Sequence, residues 1–149
     1  LAIFFGAVLF VVDFLSKYFI VHCLPLGSGK ELILFQNFLG IDCSITHAIN
    51  TGAAWGLFSE MPLMLVIVRL LLIVGLVVFL CFPSSSRWRV PIVLIVCGAF
   101  GNVLDFFLYG HVVDMIHCIF WGYDYPVFNV ADATISCSTI AIVIMTLKE

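Results

Sequence analysis

The chain has 149 residues, of which 64% are hydrophobic and 10% charged, with a formal net charge of -3 and a mean hydropathy of +1.25. A water-soluble domain could not carry this composition without exposing large apolar patches, so lipid must be the solvent for most of the chain. No Lys/Arg cluster exists to grip phosphates, which excludes nucleic acid as the expected partner.

A hydrocarbon core about 30 Å thick needs roughly 20 apolar residues per helix, and the chain supplies four such runs within one expected domain, 1–149. The first covers 1–21. Its apolar length, with Asp13 and Lys17 inside it and no small-residue cleavage site after it, argues against a removable signal peptide. The chain opens on Leu1 rather than Met, which leaves room for further N-terminal residues in that span. The connection 22–61 carries stretches such as Glu31-Leu32-Ile33-Leu34-Phe35 and Ile41-Asp42-Cys43-Ser44-Ile45-Thr46, whose alternation and β-branching predict a strand-rich platform at the membrane surface. Spans two and three cover 62–82 and 90–108, separated by a polar stretch ending in Arg87-Trp88-Arg89. The segment from Tyr109 to Val127 reads as turn-rich, and span four covers 128–147.

Basic residues in short loops are retained on the cytoplasmic side. Arg87 and Arg89 between spans two and three, and Lys148 after span four, therefore put both termini in the cytoplasm. The connections 22–61 and 109–127 then face outward. With that topology the polar residues collect near one membrane surface: Asp13 and Lys17 in span one, Asn102 and Asp105 in span three, Asp114 beyond it, and Asn129 and Asp132 opening span four, with Asn50 able to join from the outer connection. Polar groups are costly in lipid, and such a collection marks a candidate site.

Asp13 and Lys17 are spaced i, i+4 on one helix face and can neutralise each other, which alone would make a charged helix insertable. Asn102 and Asp105 are i, i+3 neighbours, with Gly98 and Gly101 nearby to let another helix approach; they would serve equally as helix glue. Arg69, in span two, reads as a snorkelling or carboxylate-paired cation. Asp114 and Asp132 lie 18 positions apart, about 27 Å in a continuous helix. Gly122, Asp124 and Pro126 between them can reverse the chain and bring the two together. Two close, partly desolvated carboxylates share one proton. The ionised member can then take a proton from attacking water while the protonated member polarises the carbonyl and later protonates the leaving amine, the chemistry of an aspartic protease. Helix capping or interface polarity is the competing reading of the same pair.

The six cysteines contain no C-x-x-C pair and no zinc-site spacing, so no metal is expected. Cys81 and Cys97 read as small hydrophobes. Cys23, Cys43 and Cys118 fall in connecting segments, and their spacing leaves any disulfide undecided.

Five short motifs occur in one order: Asp13-Phe14-Leu15-Ser16-Lys17, Asn50-Thr51-Gly52-Ala53-Ala54, Gly98-Ala99-Phe100-Gly101-Asn102-Val103-Leu104-Asp105, Gly110-His111-Val112-Val113-Asp114 and Phe128-Asn129-Val130-Ala131-Asp132. Together they resemble the lipoprotein signal peptidases (signal peptidase II), four-span aspartic proteases of the bacterial inner membrane. The resemblance implies an all-α membrane protein with four transmembrane helices, a small extracytoplasmic β-rich cradle and a short surface helix over the site. It implies Asp114 and Asp132 as the catalytic pair, with Asn50, Asn102, Asp105 and Asn129 shaping the site and Asp13 and Lys17 supporting it. The implied substrates are prolipoproteins bearing a diacylglyceryl-modified cysteine, cut on the N-terminal side of that residue without metal or organic cofactor. Membrane lipid is the other expected partner, and the chain is expected to act as a monomer.

Two positions depart from the family pattern. Phe106 stands where Arg usually follows the Asp of the third motif, leaving Arg69 as the available cation, and Trp55-Gly56 stand where Phe-Ser is common. A transporter or proton relay would instead distribute its polar groups through the midplane with access from both sides. A scaffold would use them only to fasten helices.

Overall fold

The computed structural model describes residues 1–27, 29–51, 61–82 and 87–148. Among these residues are four long helices: α1 (Ala2–Cys23), α2 (Pro62–Leu80), α3 (Arg89–Tyr109) and α4 (Val130–Leu147). All four are long and apolar enough to cross a membrane, and they carry large exposed hydrophobics such as Ile3, Phe4, Leu71, Phe107 and Ile140. Such faces are stable only against lipid. α3 is the hub, packed against α1, α2 and α4, and half of its apolar window is buried inside the protein.

Between the helices the described residues form four strands, β1 (Leu32–Phe38), β2 (Ile41–Asn50), β3 (Val112–Phe120) and β4 (Tyr123–Asp124), joined in one antiparallel sheet in that order. The expected strands at 31–35 and 41–46 fall within or beside β1 and β2. The segment 109–127 differs from its turn-rich reading, because nearly half of it is β3. Val112, Val113, Ile116, Ile119 and Phe120 favour a pleated strand, while Asp114 and His117 interrupt the apolar run that would have revealed it in the sequence. Turns occupy only its ends. Gly110 closes α3 in the left-handed conformation, φ 79°, and Trp121-Gly122 link Phe120 to its partner Tyr123.

Both hairpins use two-residue loops in which both residues have positive φ: Leu39 (54°) and Gly40 (81°), then Trp121 (49°) and Gly122 (84°). This is the twist-compatible type I′ geometry, which glycine adopts freely and Leu or Trp only with strain. The two turns meet through a Trp121 N–H to Gly40 carbonyl bond of 2.9 Å.

The sheet docks on the bundle through β3, whose first four residues are buried. Val113 and Met115 pack with Ile20 of α1, flanked by Val21, Ile45, Tyr109 and Ile116. Phe128 then pairs with β3, its carbonyl accepting from the amides of Met115 (3.0 Å) and Ile116 (2.8 Å). This bridge delays the start of α4 from the expected 128 to Val130 and delivers Asn129 beside Asp114. A short surface helix over the site is not seen among the described residues.

Candidate active site

The site lies where α1, α3 and α4 meet the start of β3. Close helix approach makes it possible. A Cβ on Gly98 would sit 3.0 Å from the Ala131 carbonyl oxygen, and one on Gly101 would sit 2.8 Å from Asp13 Oδ2, so these positions admit α4 and the α1 carboxylate respectively.

Lys17, 1% exposed, donates to Asn102 Oδ1 at 2.9 Å and is ion-paired with Asp13 Oδ2 at 2.7 Å and Asp105 Oδ2 at 2.8 Å. The expected i, i+4 ion pair is present, but it belongs to a larger network. Asp13 Oδ1 accepts from the Ala131 amide at 2.8 Å, tying α1 to the first turn of α4. Asp105 Oδ2 accepts from the Val113 amide at 3.2 Å, tying α3 to β3. A buried cation and two buried anions with complementary hydrogen bonds offset much of one another's desolvation.

Asn102 and Asn129 connect this network to the two aspartates. Asn102 accepts from Lys17 and donates through Nδ2 to Asp132 Oδ1 at 2.8 Å. Asn129 caps α4, its Oδ1 accepting from the Asp132 amide at 2.8 Å, a common use of Asn at this position. The same side chain donates through Nδ2 to Asp114 Oδ1 at 2.6 Å, with longer contacts of 3.3 Å to Asn102 Oδ1 and the Val113 carbonyl. Asp114 Oδ2 accepts from Asn50 Nδ2 at 2.9 Å. Asp114 on β3 and Asp132 on α4 are thus brought to one place by shared asparagines. All eight expected site residues join one connected network.

Asp114 is 2% exposed, whereas Asp132 is partly open. Burial first, and then the charge of Asp132, push the Asp114 carboxyl from an ordinary 3.8 up to about 7, against the opposing effect of the Asn50 and Asn129 donors. The site can therefore hold a proton on one carboxylate near neutral pH.

Ala131 was not singled out in the sequence. It contributes a backbone amide, for which its side chain gives no signal. Phe106 is half-buried beside Phe107, ring centroids 6.1 Å apart, and Arg69 of α2 is close enough to Asp132 to act on it electrostatically. Gly52-Ala53-Ala54 and Trp55-Gly56 lie outside the described residues.

Comparison with known proteins bears on this constellation. The sequence model of the signal peptidase (SPase) II family matches residues 5–148. Lipoprotein signal peptidases of Staphylococcus aureus, strains JH9 and N315 among them, are 35% identical over 143 residues, covering 93% of this chain and 83% of theirs. Two solved structures, described as bacterial membrane enzymes determined in meso at 2.3 and 1.9 Å, superpose with TM-scores of 0.88 and 0.82 at 32% and 31% identity. The alignments cover 99% of this chain and 87% and 93% of those chains. Matched by that family model over nearly its whole length, and carrying four helices long and apolar enough to cross a membrane, the chain belongs to the signal peptidase II family.

Proposed function

We propose that this protein is an aspartic endopeptidase that removes the signal peptide from diacylglyceryl-modified prolipoproteins, cutting on the N-terminal side of the lipidated cysteine. The observation that carries the reading is the aspartate pair itself: Asp114, buried, held by two asparagine donors and pushed up to about 7 by burial and by the charge of Asp132, with Asp132 held by Asn102. Ionised Asp132 takes a proton from water as its oxygen attacks the scissile carbonyl carbon, while protonated Asp114 gives its proton to the carbonyl oxygen. When the resulting diol collapses, Asp132 passes its proton to the departing amine and a diol hydroxyl proton returns to Asp114. Peptide hydrolysis is complete and both carboxyls are reset.

The membrane setting suits such a substrate. Acyl chains remain in the bilayer and diffuse laterally to the helices while the peptide is held at the sheet. The site faces outward and both termini lie in the cytoplasm, an orientation supported by Arg87, Arg89 and Lys148, and the bacterial inner membrane is the location.

The test is cleavage of a diacylglyceryl-modified prolipoprotein by protein reconstituted in lipid, compared with Asp114→Asn and Asp132→Asn. Each variant should insert normally and lose cleavage by about 10²–10⁴-fold, the range for removing a general acid or base. Near-normal turnover by either one refutes the paired mechanism.

A further inference from the structure

Away from the aspartates, two thiols face each other across the central strands of the sheet. Cys43 of β2 and Cys118 of β3 are directly opposed in the antiparallel ladder. Both are buried, both are free thiols in the structure, and their Sγ atoms are 2.9 Å apart. Opposed residues of an antiparallel pair have Cα atoms about 4.5–5.5 Å apart, within the separation a disulfide spans. The strands need not move for the sulfurs to bond.

We propose that Cys43 and Cys118 form an oxidation site, closing to an intramolecular disulfide that fixes the register of β2 on β3. In the cell this rests on the sheet facing the oxidising, extracytoplasmic side, as read above. The oxidant is a disulfide-bearing thiol oxidase. One cysteine thiolate attacks a sulfur of that disulfide and releases one oxidant thiol. The second cysteine then attacks the mixed disulfide and releases the other. The pair loses two electrons and two protons, and the oxidant disulfide becomes two thiols.

The position of the pair gives the bond a consequence at the site. Cys118 precedes no bulge toward the turn, but between Ile45 and Ala48 the register shifts, so that Ala48 pairs with Asp114 and Asn50 with Val112. Only in that register does Asn50 Nδ2 reach Asp114 Oδ2 at 2.9 Å. A one-residue slip of a strand turns every side chain to the opposite face, which would withdraw Asn50. The crosslink, on the other side of the bulge from Asp114, forbids the slip. Burial and the neighbouring thiol push Cys118 up to about 11. The Cys118 thiolate is therefore scarce at neutral pH.

The experiment counts thiols by alkylation and peptide mass. In one arm, membranes are lysed directly into denaturant and a maleimide. Cys43 and Cys118 should resist labelling until a reductant is added and should appear in one linked peptide pair, while Cys23, Cys81, Cys97 and Cys137 label at once. In the second arm, reduced protein in detergent is treated with glutathione disulfide at about pH 9, where exchange is faster. It should lose two thiols without gaining a glutathione adduct, and Cys43→Ala should abolish the linked pair. The oxidised protein should melt at a higher temperature than the reduced one, a difference absent from the Cys43→Ala/Cys118→Ala protein. Closure in detergent but not in membranes upholds the site and refutes the outward placement of the sheet instead. Six free thiols in both arms, or glutathione adducts in place of the bridge, overturn the proposal.

Discussion

Replacing Asp114 with Asn should harm cleavage and yet stabilise the fold at alkaline pH. In the native protein this carboxyl lies at about 7 rather than 3.8. At about 1.4 kcal/mol per pH unit, holding it ionised costs on the order of 4 kcal/mol. Between pH 3.8 and about 7 the native state retains a proton that the unfolded chain has released, so stability falls as pH rises through that window and levels off above it. Asn carries no charge and escapes this cost. It also turns an NH₂ toward Asn50 or Asn129, each of which already donates to this position, and losing one of those bonds costs about 1–3 kcal/mol. The balance at pH 8 is a gain of about 1–3 kcal/mol, read at about 2–4 °C per kcal/mol for a chain of this size. Between pH 8 and pH 5 the wild type regains about 3 kcal/mol, about 1.4 kcal/mol for each of the two pH units below 7, so the variant's advantage should be gone at pH 5. Thermal unfolding in detergent from pH 5 to 8 measures this, with cleavage assayed on the same samples. Parallel stability curves, or a variant less stable than wild type at pH 8, would refute the reasoning.

Removing the Asn50 donor bears on the same proton. Asn50→Ala deletes a hydrogen bond that favours ionised Asp114, so the alkaline limb of the cleavage profile should move above pH 7; a downward move contradicts the assignment. Lys17→Met leaves Asp13 and Asp105 buried without their cation and should destabilise the protein by about 3–5 kcal/mol, visible as a lower melting temperature even where substrate is absent. Leu39→Asn should stabilise the β1–β2 hairpin by about 1 kcal/mol, because Leu39 is 76% exposed with φ 54° and Asn accepts that conformation at less cost. Amide exchange across Phe38–Ile41 would slow if this is right and stay unchanged if the strain is absent.

Much of the architecture is written in composition. Four apolar runs of bilayer length can satisfy their backbone hydrogen bonds only as helices, whatever their neighbours, and the expected spans differ from the helices by a few residues at their ends. The polar residues were equally legible, since Asp, Lys and Asn stand out against an apolar background and their motif order identifies the family. β3 was not legible as a strand. Its apolar run is broken by Asp114 and His117, and what makes it a strand is pairing with β2 and the Phe128 bridge, which are contacts distant in sequence.

The roles within the site were decided by tertiary structure. Spacing alone left Asp13–Lys17 as a local ion pair, and Asn102 with Asp105 as helix glue. Packing at Gly98 and Gly101 turned them into a continuous network running from Lys17 through Asn102 and Asn129 to both aspartates. Likewise the sequence set Cys43 and Cys118 in connecting segments without pairing them, and only the β2–β3 register opposes them. The amino-acid sequence by itself determined that this protein must live in lipid and which polar groups it carries there, because transfer from water depends on residue type. Which of those groups meet, and so which carboxylate is driven to hold a proton, depended on distances that only the folded chain creates.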